Sequence, residues 1–83
     1  MNRIASIGII VSDADSVERL NAVLHDYAPW IIGRMGIPYR EKGVNIISVA
    51  MDAPQTEIAA LSGKLGMIPG VSAKAVYAKE AQA

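Results

Sequence analysis

The stretch from Trp30 to Met51, WIIGRMGIPYREKGVNIISVAM, constrains this chain more than any other. Two apolar runs, Ile31 to Tyr39 and Val44 to Met51, flank the polar segment Arg40-Glu41-Lys42-Gly43. Strand-length runs joined by a four-residue polar loop read as a β-hairpin. In the first run Pro38 has no N–H to give a ladder, and Gly33 and Gly36 weaken the interior, which places that strand at a sheet edge. The second run is largely apolar on both alternating sets, Asn45/Ile47/Val49/Met51 and Val44/Ile46/Ser48/Ala50. A central strand with something covering its second face would look this way.

On each side of the hairpin lie one strand and one helix. Ile4 to Val11 is rich in β-branched residues and suits an interior strand, with Gly8 limiting bulk. Met1-Asn2-Arg3 ahead of it faintly resembles a signal peptide, but the apolar run is short and ends in Asp13 and Asp15, so it reads as a strand. Ser12 to Asp15 and Asp15 to Glu18 both stand at capping-box spacing. The stripe Val17, Leu20, Val23, Leu24, Tyr27 then predicts a helix that stops before Pro29. A second helix is expected to open at Asp52 or Ala53, with Pro54 in its first turn, to bury Ile58, Leu61 and Leu65, and to end on a left-handed Gly66. Met67-Ile68-Pro69-Gly70 turns the chain into a last strand, Val71 to about Ala78, and Lys79 to Ala83 is expected to fray.

The order strand, helix, strand, strand, helix, strand, with right-handed crossovers, predicts an α+β, ferredoxin-like βαββαβ fold. Both helices then share one face of a four-stranded antiparallel sheet whose first and third strands are central. Residues 1–83 are read as one domain with an ordered core of about 3–79. A domain this small covers only a modest part of its apolar surface, and 52% of this chain is hydrophobic. Its bare sheet face, carrying Ile46, Ser48 and Ala50, would be exposed in a monomer, so a homo-oligomer is expected, a dimer or tetramer. The absence of cysteine fits a reducing cytoplasm. No apolar run reaches the roughly twenty residues a bilayer crossing takes, so no membrane is expected. Eight Lys and Arg balance eight Asp and Glu, giving no overall positive field for nucleic acid, which makes direct DNA binding doubtful.

Gly33-Arg34-Met35-Gly36-Ile37-Pro38-Tyr39-Arg40-Glu41, Asn45-Ile46-Ile47-Ser48, Leu61-Ser62-Gly63-Lys64-Leu65-Gly66 and Ile68-Pro69-Gly70-Val71 together resemble the iron-only hydrogenase system regulator family. The likeness spans nearly the whole chain, and the GRMGIPYRE block is its more specific part. That family resembles in fold the ACT domains and the C-terminal ligand-sensing domain of the nickel-responsive regulator. The resemblance implies a stand-alone, ACT-like, non-enzymatic regulatory domain that oligomerises and takes a small-molecule effector or protein partner. It implies a transcriptional or hydrogenase-system role without a mechanism. The chain departs from DNA-reading relatives, since every stretch is used by the ferredoxin-like pattern and none is left for a ribbon-helix-helix or helix-turn-helix. With one histidine and no cysteine, the nickel cluster is not carried over, no metal is assigned, and the cofactor is unknown.

Arg34 between glycines has two readings: a guanidinium gripping a carboxylate or phosphate that approaches close to the backbone, or a solvated or inter-subunit pairing arginine beside a bulge. Met35, Gly36, Tyr39 and Arg40 complete the ligand or interface candidates, although Arg40-Glu41-Lys42-Gly43 also reads as a plain solvated loop. His25 beside Asp26 lacks the companions a metal ligand or general base needs. Asp13, Asp15 and Asp52 sit where helix caps are wanted. Ser62-Gly63-Lys64 falls inside a helix rather than before one, and Gly63 is expected to allow close packing there. Trp30 either anchors an interface or plugs the core. Two other function classes stand beside the sensor. One is a DNA-binding oligomer; the other is a small dimeric ferredoxin-like enzyme, against which the acidic junction Val11-Ser12-Asp13-Ala14-Asp15 argues because it suits no anion.

Overall fold

The computed structural model describes residues 1–79. Strand β1 (Asn2–Val11) leads through a 3-10 turn (Ala14–Ser16) into α1 (Val17–Asp26). A second 3-10 turn (Ala28–Trp30) precedes β2 (Ile31–Tyr39). A third (Arg40–Lys42) closes the hairpin onto β3 (Val44–Pro54), followed by α2 (Gln55–Gly66) and β4 (Val71–Tyr77). The sheet order is β2-β3-β1-β4 with every pairing antiparallel. This is the expected ferredoxin-like arrangement, with β1 and β3 central and β2 at an edge.

Alternation along the strands sends one set of side chains to the helices. Ala5, Ile7, Ile9 and Val11 of β1 and Ile47, Val49, Met51 and Ala53 of β3 are buried. Against them pack Leu20 and Leu24 of α1 with Tyr27 just past its end, and Ile58, Leu61 and Leu65 of α2, the two stripes foreseen from 3.6-residue periodicity. Trp30 is half-buried and packs on this cluster, as does Ile31. Lys64 Nζ lies 5.0 Å from the Tyr27 ring centroid, tying α2 to α1. Tyr27 holds that ammonium above the usual lysine range.

Three local expectations give way to the structure. Ser12 and Asp15 make no capping box. Asp13 is the cap, its Oδ1 accepting from the Asp15 N–H at 3.0 Å, while the Ser12 hydroxyl donates to the Gly70 carbonyl instead. Asp52 caps nothing, because β3 continues through it, paired with Ile4, and α2 begins only at Gln55. The ladder with β1 extends to Pro54 and takes Asp52 and the buried Ala53 into the sheet. Gly66 ends α2 without a left-handed turn; the positive φ falls on Gly70, at 72°. The bulge weighed beside Arg34 is present: a register shift between Ile31 and Gly33 leaves Ile32 out of the ladder and moves Ile31 to the helix face. Of the tail expected to fray, Lys79 lies in a bend and the rest is outside the described residues.

Gly63 also differs from expectation, since a Cβ built on it meets nothing within 4 Å. No close packing requires it. Gly63→Ala on this exposed helix position is therefore expected to stabilise the domain by about 0.5–1 kcal/mol, read as a raised denaturation midpoint. An unchanged or lowered midpoint would mean that something does occupy the space beside it.

Candidate functional site

Cross-strand partners share a face, so the pairing registers write out the side of the sheet that carries no helix. Across β2, β3, β1 and β4 the positions align as Ile37–Ile46–Ile10–Ser72, then Met35–Ser48–Gly8–Lys74, then Gly33–Ala50–Ser6–Val76. Asp52 and Ile4 follow at one end, and Tyr39 and Val44 at the other. Met35 (66%), Ile37 (56%), Ile46 (43%), Ile10 (47%) and Val76 (69%) are exposed there, far more than their apolar side chains would be in a core. The charges in these positions are Lys74 and Asp52. Ile37, Ile46 and Ile10 form a ridge. Beside it Gly8, Ser48, Ala50 and Ser6 form a trough, with Ser6 and Ser48 hydroxyls 3.2 Å apart. The trough over Gly8 opens into a hollow of about 500 Å³ bounded by Ile10, Ile46, Ser72 and Lys74.

The five candidate residues, four on the edge strand and Arg40 just past it, do not stand together. Met35 and Tyr39 belong to the helix-free face, opposite Ser48 and Val44. Arg34 and Gly36 turn to the helix side, opposite Val49 and Ile47. Arg40 lies in the hairpin turn, where Gly43 at φ 66° makes the left-handed step. Tyr39 and Arg40 line one hollow of about 280 Å³ with Val11, Pro38 and Val44. Arg34 and Gly36 line a neighbouring one of about 260 Å³ with Val17, Pro38, Asn45 and Ile47. Pro38 and Asn45 form the wall between them. The Tyr39 hydroxyl and the Glu41 carboxylate are 3.2 Å apart, which steadies the turn.

The helical layer stops short of the edge strand, leaving eight of the nine residues of β2 exposed. Arg34 bridges the gap: its Nη2 donates to Asn21 Oδ1 of α1 at 2.7 Å. On the far side of that bridge a hollow of about 380 Å³ is bounded by Asn21, Leu24, His25, Ala28, Ile31 and Arg34. Asn21 carries no signal in the sequence. Its part follows only from α1 lying alongside β2, thirteen positions away in the chain.

The family model "TM1266-like: Iron-only hydrogenase system regulator, putative" matches residues 3–75. The solved structure of the uncharacterized protein TM1266 from Thermotoga maritima is 35% identical, with a TM-score of 0.91, covering 95% of this chain and 100% of that one. The solution structure of the C-terminal domain of the MgtC protein from Mycobacterium tuberculosis shares the fold with a TM-score of 0.73. At 13% identity, over 99% of this chain and 94% of that one, it shows the fold and nothing further. No curated protein matches the chain. The family match over most of the length, on the same ferredoxin-like frame, establishes that the chain belongs to the TM1266-like family.

Proposed function

We propose that this protein is a cytoplasmic, non-enzymatic regulatory domain that self-associates through the helix-free face of its sheet and responds to a ligand or partner taken along β2. The observation that carries this reading is the apolar ridge and trough on that face. A ridge of three isoleucines beside a trough floored by Gly8 and serines is complementary to itself, so a two-fold axis seats the ridge of one copy in the trough of the other. Four strands about 4.8 Å apart and about seven residues long give each copy a footprint of about 450 Å². Two copies then bury about 1,000 Å² once side-chain relief is included, near the threshold for a specific interface. Moderate affinity suits a regulator whose assembly responds to a ligand.

Met35 and Tyr39 fall within the covered face, which leaves Arg34, Gly36 and Arg40 for recognition. Light scattering on the purified chain, from submicromolar to hundreds of micromolar, is expected to show a mass rising from 8.8 kDa to twice that value or a higher closed multiple. A constant 8.8 kDa throughout that range refutes self-association.

A further inference from the structure

Deepening the ligand-responsive reading above, and resting on it, we infer that the gap between α1 and β2 is a binding site for a small free carboxylic acid with a short apolar tail. Arg34 holds the carboxylate and the tail fills the hollow bounded by Leu24, Ala28 and Ile31.

The arrangement around Arg34 carries this. Among the described residues its guanidinium makes one hydrogen bond, to Asn21, using one of five N–H donors. That bond spans the gap, and Arg34 borders a hollow on either side of it with its remaining donors unused by the described residues. A planar fork with free donors matches a carboxylate, which it can grip through two parallel bonds. Asn21 is neutral, so the bridge brings one firm positive charge, suited to a monoanion. The walls beyond are apolar, Leu24, Ala28 and Ile31, with the His25 imidazole at the rim. The hollow, about 380 Å³, is open to solvent on one side, which suits a small acid held at millimolar affinity. The Asn21 bond already draws the arginine across the gap, which lowers the cost of ordering it for a ligand.

Nuclear magnetic resonance on the labelled full-length chain tests this, with sodium isovalerate as the probe and sodium phosphate at equal ionic strength as the comparison. The Arg34 Nε–H and Asn21 amide signals are expected to shift saturably with isovalerate, at millimolar concentrations, and to stay in place with phosphate. Arg34→Lys is expected to weaken binding at least tenfold, because an ammonium cannot present the fork. Ala28→Leu, at an exposed position, is expected to abolish it by filling the hollow while leaving the backbone amide spectrum intact. Absence of saturable shifts overturns the proposal, and so does an equal response to phosphate. It is equally overturned if isovalerate is silent while Arg34→Ala weakens self-association, which assigns Arg34 to an inter-subunit pair. The two readings fail separately: a monomer that binds isovalerate keeps this site and removes the sheet interface, and an oligomer that ignores it does the reverse.

Discussion

Gly70→Ala is expected to cost the domain about 3 kcal/mol, lowering Tm by roughly 15 °C in a chain of this size. Two effects add. Gly70 stands at φ 72°, where an L side chain costs about 1–2 kcal/mol. In addition, a Cβ there would lie 2.6 Å from Asp13 Cβ and 3.1 Å from the Asp13 backbone nitrogen. Neither neighbour is free to retreat. Asp13 caps the 3-10 turn through Asp15, and its flanks are tied to the same turn: Ser12 N–H and hydroxyl both donate to the Gly70 carbonyl, at 2.8 and 3.1 Å. The buried Ser16 hydroxyl donates to the Pro69 carbonyl at 2.6 Å. The Ile68-Pro69-Gly70 turn is thus the floor on which the start of the first helical segment rests. Gly43→Ala is the comparison, since Gly43 shares the positive φ of 66° but has nothing within 4 Å. It should cost about 1 kcal/mol by backbone strain alone. Equal losses in the two variants, read by urea denaturation, would show that Asp13 does not press on Gly70.

Ile46→Glu is expected to abolish the proposed self-association while leaving the chain folded. Ile46 lies at the middle of the ridge, beside Ile37 and Ile10, and is 43% exposed in a single copy. A carboxylate there is solvated in the monomer. In the assembled protein it would be buried without a partner, which costs several kcal/mol. The dissociation constant should therefore rise at least a hundredfold, about 2.7 kcal/mol, by sedimentation equilibrium, with an unchanged far-ultraviolet circular dichroism spectrum. Undiminished association would place the interface elsewhere.

The turn of the hairpin was legible residue by residue, because both of its boundaries have a local chemical cause. Tyr39 ends one apolar run, Gly43 supplies the left-handed step, and Val44 begins the next. The helical stripes were legible for a similar reason, since Leu20, Leu24 and Tyr27, and Ile58, Leu61 and Leu65, repeat at the period of a buried helix face. What was not legible depended on partners distant in sequence. Asp52 reads as a cap until its pairing with Ile4 draws it into β3. Gly66 ends its helix as expected, yet the left-handed φ expected there and the tight contact with Asp13 both fall at Gly70. A bulge was one reading of the glycines around Arg34, but no periodicity marks that it falls at Ile32 and turns Ile31 to the helix face. The candidate site shows the same division. Arg34 and Gly36 could be picked out from their setting in the edge strand. That they face α1 while Met35 and Tyr39 face away, and that Asn21 holds Arg34, follows only once the sheet is assembled.

A paramagnetic reagent confined to solvent reads the central claim directly, through the relaxation of the Ile10, Ile37 and Ile46 methyl groups at increasing protein concentration. If the helix-free face is where two copies meet, those methyls become protected as the assembly forms, while the exposed Ile32, outside the ridge, stays accessible. If all four stay equally accessible at every concentration, or protection comes to Ile32 instead, the face is open to water and the account of a self-associating regulator is contradicted.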